Sequence, residues 1–203
     1  HTRCREVSGS EMCIRDRYKF FIPIKSFDQS KQRLTKVLRS AQRKNLSKNM
    51  FIGTVKILKK NKLQPIVVSN ARDITKKEEN SFFSKKNLNE ALEDAIKTYA
   101  KKDEFIVIMH ADLPFISNQD LDYLMNLIHQ QKTFVVPDRF ASGTNAVGFK
   151  WRNQKLLFGK NSFNKFCSYF EKIGTDYIKV DLKNISFDLD TDCLLYTSDA
   201  ADE

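Results

Sequence analysis

Apolar residues in this chain fall into short unbroken runs that alternate with stretches of helical spacing. Phe105–Met109 is apolar throughout and is followed by His110-Ala111-Asp112-Leu113-Pro114. A short apolar run with polar ends predicts a strand buried on both faces, as in a parallel sheet. Pro114 cannot continue a strand ladder, so the chain turns there and Asp112 is left near the strand's carboxyl end. Open α/β sheets bind their ligands at that edge. Further strands are predicted at Tyr18–Ile24, Gln64–Ser69, Phe134–Pro137, Ala146–Lys150 and Tyr177–Val180.

Helices are predicted between them. Ser40–Lys60 carries apolar positions Leu46, Met50, Val55 and Leu58, and Asn87–Tyr99 carries Leu88, Ala91, Leu92, Ala95 and Ile96. Another begins at Ser117, an N-cap with Asp120 as capping-box partner, and runs to Gln131. A fourth follows the turn at Phe158–Phe163 and ends near Ile173. Asp28 or Ser30 is placed to cap a helix after the first strand. Ala71–Lys86 is polar and aperiodic, and reads as a surface loop over the site. Strands alternating with helices predict a three-layer, Rossmann-like α/β sandwich with a mostly parallel central sheet.

Both ends change how the composition is counted. Cys193–Glu203 back-translates as a transposase mosaic end followed by sequencing adapter, and Glu11–Arg17 as the same mosaic end on the opposite strand. Residues 1–17 and 193–203 are therefore expected to be adapter-like additions, the latter in place of the native C-terminus, with 18–192 a single domain. Only Cys167 of the four cysteines lies within that core, so no disulfide framework is expected and a reducing, cytoplasmic setting is. The core holds 31 Lys and Arg against 19 Asp and Glu. A basic balance admits a nucleic-acid-binding domain, but the lysines are scattered, which favours a solvated surface and an anionic small substrate. No run reaches the length of a membrane-spanning helix, and no membrane or nucleic-acid partner is expected. A homodimer remains an open expectation.

Candidate chemistry gathers at strand ends. Lys25, Lys31 and Arg33 lie in or after the first strand–helix turn, where free helical N–H groups already attract anions. They make either a polyphosphate grip or a solvated basic face. Asp112 and the Asp188/Asp190 pair are oxygen ligands suited to Mg²⁺, which takes one or two carboxylates together with substrate phosphates. His110 is expected to face away from Asp112 in a structural role. No zinc cluster, no Ser-His-Asp pattern and no P-loop is present. Cations and acids so arranged support attack on a nucleotide phosphate, and a phosphate nucleophile, already anionic, needs no general base. Gly143-Thr144-Asn145 and the Gly159–Ser162 turn offer a grip for a second substrate, with Ser162 able to cap the following helix.

These segments, taken in order, resemble the CofC/FbiD family within the MobA-like nucleotidyltransferase group. Ile22-Pro23-Ile24-Lys25 with Lys31 and Arg33-Leu34 is similar to V-P-V-K…A-K-S-R-L. Ala111–Pro114 is similar to A-D-L-P, Pro137-Asp138-Arg139…Gly143-Thr144-Asn145-Ala146 to P-D-R…G-T-N-A, Phe158-Gly159…Ser162-Phe163 to F-G…S-F, and Asp188–Thr191 to D-V-D-T. The family's Gly-Leu-Asn is Asn87-Leu88-Asn89 here, and its D-T-P-E-D-L breaks off after Asp192. The resemblance implies a GT-A-like fold and transfer of GMP from GTP to phosphoenolpyruvate or 2-phospho-L-lactate in coenzyme F-420 biosynthesis, with release of pyrophosphate. Thr144, Gly159 and Ser162 fall on acceptor positions, and Asp112 and Asp190, with Asp188, on magnesium positions. Lys25, Lys31 and Arg33 would hold the GTP phosphates, with Ser69 and Asn89 on the nucleotide side; Asp112, Asp190 and Lys25 carry catalysis. Alternatives are another acceptor, such as 3-phospho-D-glycerate, the molybdenum cofactor or a sugar phosphate, or the nucleic-acid-binding domain.

Overall fold

The computed structural model describes residues 18–189. Asp190 and the two end segments expected to be adapter-like lie outside the described residues. Seven strands form one sheet: β1 (Tyr18–Ile24), β2 (Pro65–Ser69), β3 (Ser81–Phe83), β4 (Phe105–Met109), β5 (Thr133–Pro137), β6 (Thr144–Lys150) and β7 (Tyr177–Lys179), in the order β3-β2-β1-β4-β6-β5-β7. The helices are α1 (Ser40–Lys60), α2 (Arg72–Thr75), α3 (Leu88–Tyr99), α4 (Asn118–His129), α5 (Ser162–Lys172) and α6 (Lys183–Ser186).

Why β4 sits at the centre follows from its composition. All five of its residues are buried, so both of its faces need cover. Phe105, Val107 and Met109 pack with Phe51, Val55 and Leu58 of α1 and Leu121 and Leu124 of α4. Ile106 and Ile108 pack on the other face with Leu92 and Ile96 of α3 and Phe166 and Phe170 of α5. The period-2 alternation of one strand thus builds two cores. At the middle of β6, Gly148 lets the sheet face accept aromatic rings. A Cβ there would run onto the ring edge of Phe134, with Phe105 at 3.0 Å.

The layered α/β architecture stands. The sheet is mostly parallel, as expected: four of its six described strand pairs are parallel, and β6 enters antiparallel to both β4 and β5. Two segments depart from expectation. β6 begins at Thr144 rather than Ala146: a register shift at Val136/Pro137 lets Thr144 pair with Pro137 and draws two residues of the expected loop into the ladder. Residues 71–86 are not simply a loop, since they contain α2 and the edge strand β3, which pairs parallel with β2. Arg72 lies 4.3 Å over the Phe83 ring and closes that edge.

No helix starts at Asp28 or Ser30. Two 3₁₀ turns, Phe27–Gln29 and Gln32–Lys36, fill that stretch, separated by Lys31 at φ 55°. A left-handed residue cannot propagate a right-handed helix. Farther on, the capping box of α4 forms as expected. Ser117 N and Oγ donate to Asp120 Oδ2 at 2.8 and 2.6 Å, and Asn184 Nδ2 adds a third bond at 3.1 Å, tying α6 to α4.

Candidate active site

The order β2-β1-β4 places β1 between two parallel neighbours that lead away in opposite directions. Ligands of open α/β sheets bind at the carboxyl ends of such strands. A cavity of about 440 Å³ opens there. Lys25 follows β1, Ser69 and Asn70 end β2, Lys31 enters from the 3₁₀ segment, and His110 and Asp112 follow β4, all on the cavity wall. Asn87 and Leu88 bring the start of α3 to the same wall. Asn87 caps that helix by accepting from Glu90 N at 3.1 Å.

Lys31 Nζ donates to Asp112 Oδ2 at 2.6 Å across 81 residues of chain. The left-handed turn at Lys31 aims the ammonium inward, and its side chain is only 4% exposed. Burial pushes the Asp112 carboxyl up. The Lys31 charge, then the His110 imidazole and the hydrogen bonds from Lys31 and the backbone amide, outweigh it and hold the group below its ordinary value. Asp112 is therefore a carboxylate at neutral pH. Its other oxygen, Oδ1, is buried and finds no hydrogen-bond partner among the described residues. An orphaned carboxylate oxygen beside a cavity that Lys25 and Lys31 also line fits a hard cation such as Mg²⁺ held together with substrate phosphates.

Asp188 approaches from the far side of β4. Asn145 Nδ2 donates to Ile185 O at 2.9 Å and to Asp188 Oδ1 at 3.4 Å, while Asn145 O accepts from His110 N at 2.9 Å. Asn145 thus links the end of β4 to the acidic segment. Among the described residues no group of three or more His, Cys, Asp or Glu converges as a metal cluster; the two described acids are contributed one by one.

The remaining expected residues divide into several sets. Ser69 is buried on the cavity wall, and its Oγ accepts from Ala71 N at 3.1 Å. Arg33 is exposed and does not line the cavity. Asn89 does not line it either. Its Nδ2 donates to Phe158 O and its Oδ1 accepts from Phe158 N, both at 3.0 Å. That carboxamide is spent on gripping the backbone just before Gly159, which adopts φ +124°. Thr144 Oγ1 is buried without a partner among the described residues. Ser162 is buried, but it is the first residue of α5 rather than its cap. The cap position is Asn161, in the left-handed region. Thr144, Gly159 and Ser162 do not line the cavity; they belong to a neighbouring loop cluster. Phe163 N donates to Ser142 O at 3.2 Å and joins the two loops of that cluster.

Some site features were missed or misread in the sequence. Asp138 organises the 138–143 loop, accepting from Phe140 N, Ser142 N and Gly143 N at 3.1, 2.8 and 2.8 Å. Asp at the head of a Gly-containing polar loop is a known turn signal and could have found it. Asn70 Oδ1 accepts from Ser26 N at 2.9 Å and fastens the loop after β1 to the end of β2. His110 was expected to face away from Asp112. Instead it lines the same cavity, because positions two apart share one side of an extended chain.

Comparison with known proteins finds relatives named as guanylyltransferases. A 2-phospho-L-lactate guanylyltransferase of Methanocaldococcus fervens is 31% identical over 180 residues, covering 85% of this chain and 80% of that protein. A phosphoenolpyruvate guanylyltransferase of Thermobaculum terrenum is 27% identical over 183 residues, covering 83% and 77%. Among solved structures, a protein from Desulfovibrio desulfuricans described as a nucleotide-diphospho-sugar transferase superposes with a TM-score of 0.68 at 14% identity, over 91% of this chain and 96% of that one. A 4-diphosphocytidyl-2C-methyl-D-erythritol synthase gives 0.58 at 11% identity, over 92% and 99%. At such identities they speak for the fold alone. Residues 18–197 match the family model described as guanylyl transferase CofC like, and the chain belongs to that family of nucleotidyltransferases.

Proposed function

We propose that this enzyme transfers GMP from GTP to phosphoenolpyruvate or 2-phospho-L-lactate in the cytoplasm, as a step of coenzyme F-420 biosynthesis. The single observation that carries the reading is the Lys31–Asp112 pair on the wall of the cavity at the carboxyl ends of β1, β2 and β4. It sets a cation and a carboxylate with one unpartnered oxygen side by side. In the proposed reaction a phosphate oxygen of the acid attacks the α-phosphorus of GTP, a P–O bond forms, and the bond to the β-phosphate breaks with pyrophosphate leaving. The nucleophile is already ionised, so the protein's task is positioning and charge neutralisation. Lys25 and Lys31 would hold the triphosphate, with Ser69 on the wall beside it. Asp112, with Asp188 and Asp190, would hold Mg²⁺, which supplies further neutralisation of phosphate charge when bound. Thr144, Gly159 and Ser162 would receive the acid. The buried free thiol of Cys167 is compatible with a reducing cytoplasm, and among the described residues no helix is long and apolar enough to cross a membrane.

The test is direct. Purified protein is incubated with GTP, Mg²⁺ and, separately, phosphoenolpyruvate, 2-phospho-L-lactate and 3-phospho-D-glycerate, and pyrophosphate is measured. Release with either of the first two is expected. Release only with a pterin or sugar-phosphate acceptor, or with none, would overturn the assignment.

A further inference from the structure

We infer that His110 is an acceptor-binding residue, its Nε2 donating a hydrogen bond to an anionic oxygen of the phosphorylated acid. The inference rests on the guanylyl-transfer reading above. His110 sits where the two halves of the site meet. It lines the cavity with Asp112 just past the end of β4, the strand that separates β1, which Lys25 follows, from β6, which begins at Thr144. The imidazole lies 5.6 Å from the Phe158 ring at 33°, and Phe158 is backed edge-on by Phe166 at 5.2 Å. Asn89 grips Phe158 at both its N–H and its C=O. The His110 backbone is held in turn by its bond to Asn145 O. The ring is therefore fixed on the wall, yet Nε2 is buried with no hydrogen-bond partner among the described residues.

A buried polar atom left unpaired costs stability that a phenyl ring in the same place would not. A ligand oxygen would remove that cost. The charge of that oxygen follows from the proposed reaction, whose acceptor carries a phosphate and a carboxylate, and an anion entering beside the Asp112 carboxylate needs a donor at the point of contact. Its identity is set by position. The ring packs against Phe158, which leads directly into Gly159 and Ser162, whereas Lys25 follows β1 and Ser69 ends β2, on the side assigned to the nucleotide. His110 should thus govern the acid more than GTP.

His110→Phe keeps an aromatic ring against Phe158 and deletes the donor. His110→Gln restores a donor near the Nε2 position, and His110→Asn does not reach it. Pyrophosphate release is measured with the acid varied at saturating GTP and with GTP varied at saturating acid, after thermal melting has identified the folded variants. We expect the acid KM to rise about tenfold in H110F, the GTP KM to stay within about twofold, and H110Q to recover most of the loss. If H110F does not fold, H110Q against H110N carries the same comparison. An unchanged acid KM in the donor-less variant, a rise confined to GTP, or H110Q no better than the donor-less variant would overturn the inference. A wild type inert with every acid would bring down the reaction assignment and this inference with it; a wild type that turns over beside an unaffected H110F refutes the inference alone.

Discussion

Replacing Lys31 by Met removes an ammonium 2.6 Å from Asp112 and leaves a carboxylate beside a cavity with burial as the first influence on it. The Asp112 side chain is 24% exposed and that of Lys31 4%, so the pair is mostly withdrawn from water. Breaking a buried pair by deleting one partner costs about 3–5 kcal/mol. Because Asp112 keeps some access to cavity water, the lower part of that range, about 3 kcal/mol, is expected. For a domain of this length that is a fall in Tm of about 6–12 °C. The sign with pH separates this from a packing defect. In the wild type the Asp112 carboxyl is held below its ordinary value of 3.8, so its contribution is fully present above that value and is lost as pH falls through the lower folded pKa. In K31M the main opposing charge is gone and burial drives the carboxyl upward. The folded variant then binds a proton more readily than the unfolded chain and gains stability on acidification. Thermal melts of both proteins in EDTA, at neutral pH and near the carboxylate range, should show the gap between them shrinking as pH falls. The double variant K31M/D112N should recover most of the loss. A gap that is absent at neutral pH, or that widens on acidification, would refute the electrostatic account.

Asp112→Asn should lower pyrophosphate release about 10²–10³-fold with circular dichroism unchanged; near-wild-type turnover would remove Asp112 from the proposed metal site. Asn89→Leu deletes both bonds to the Phe158 backbone. It should cost about 2 kcal/mol in urea denaturation and raise the acid KM while leaving GTP affinity close to wild type; a selective loss of GTP affinity would instead make Asn89 a nucleotide contact. Gly148→Ala forces a Cβ onto the Phe134 ring in the middle of β6. It should lower stability by about 1–3 kcal/mol, read as a lower urea midpoint, and an unchanged midpoint would mean the aromatic layer can yield. Chelating divalent ions should abolish turnover, and Mg²⁺ should restore it; activity that persists in EDTA would argue against an oxygen-ligated cation.

Much of the fold was legible because the relevant physics is local. Phe105–Met109 needed cover on both faces, and any arrangement that covers both is layered. Ala91, Leu92, Ala95 and Ile96 repeat at helical spacing and are buried together in α3. Ser117 and Asp120 satisfy each other's amides within one turn. The edge strand β3 was not legible: three half-buried residues carry no period, and β2 supplies the pairing that makes them a strand. The start of β6 was misplaced because the register shift depends on β5, and nothing within Gly143-Thr144-Asn145 specifies it.

By itself, then, the sequence determined the main strands and helices, that their layers enclose a sheet, and that Asp112 lies just past the carboxyl end of its central strand. These follow from burial and period, properties that neighbouring residues decide among themselves. Only the tertiary structure decided that β6 runs against its neighbours, that Lys31 turns left-handed to meet a carboxylate 81 residues away, that Asn89 serves the backbone of Phe158, and that His110 faces the cavity with an unpaired nitrogen. Each of those depends on which distant segments the packed cores bring into contact, and a pattern of local spacing carries no such information.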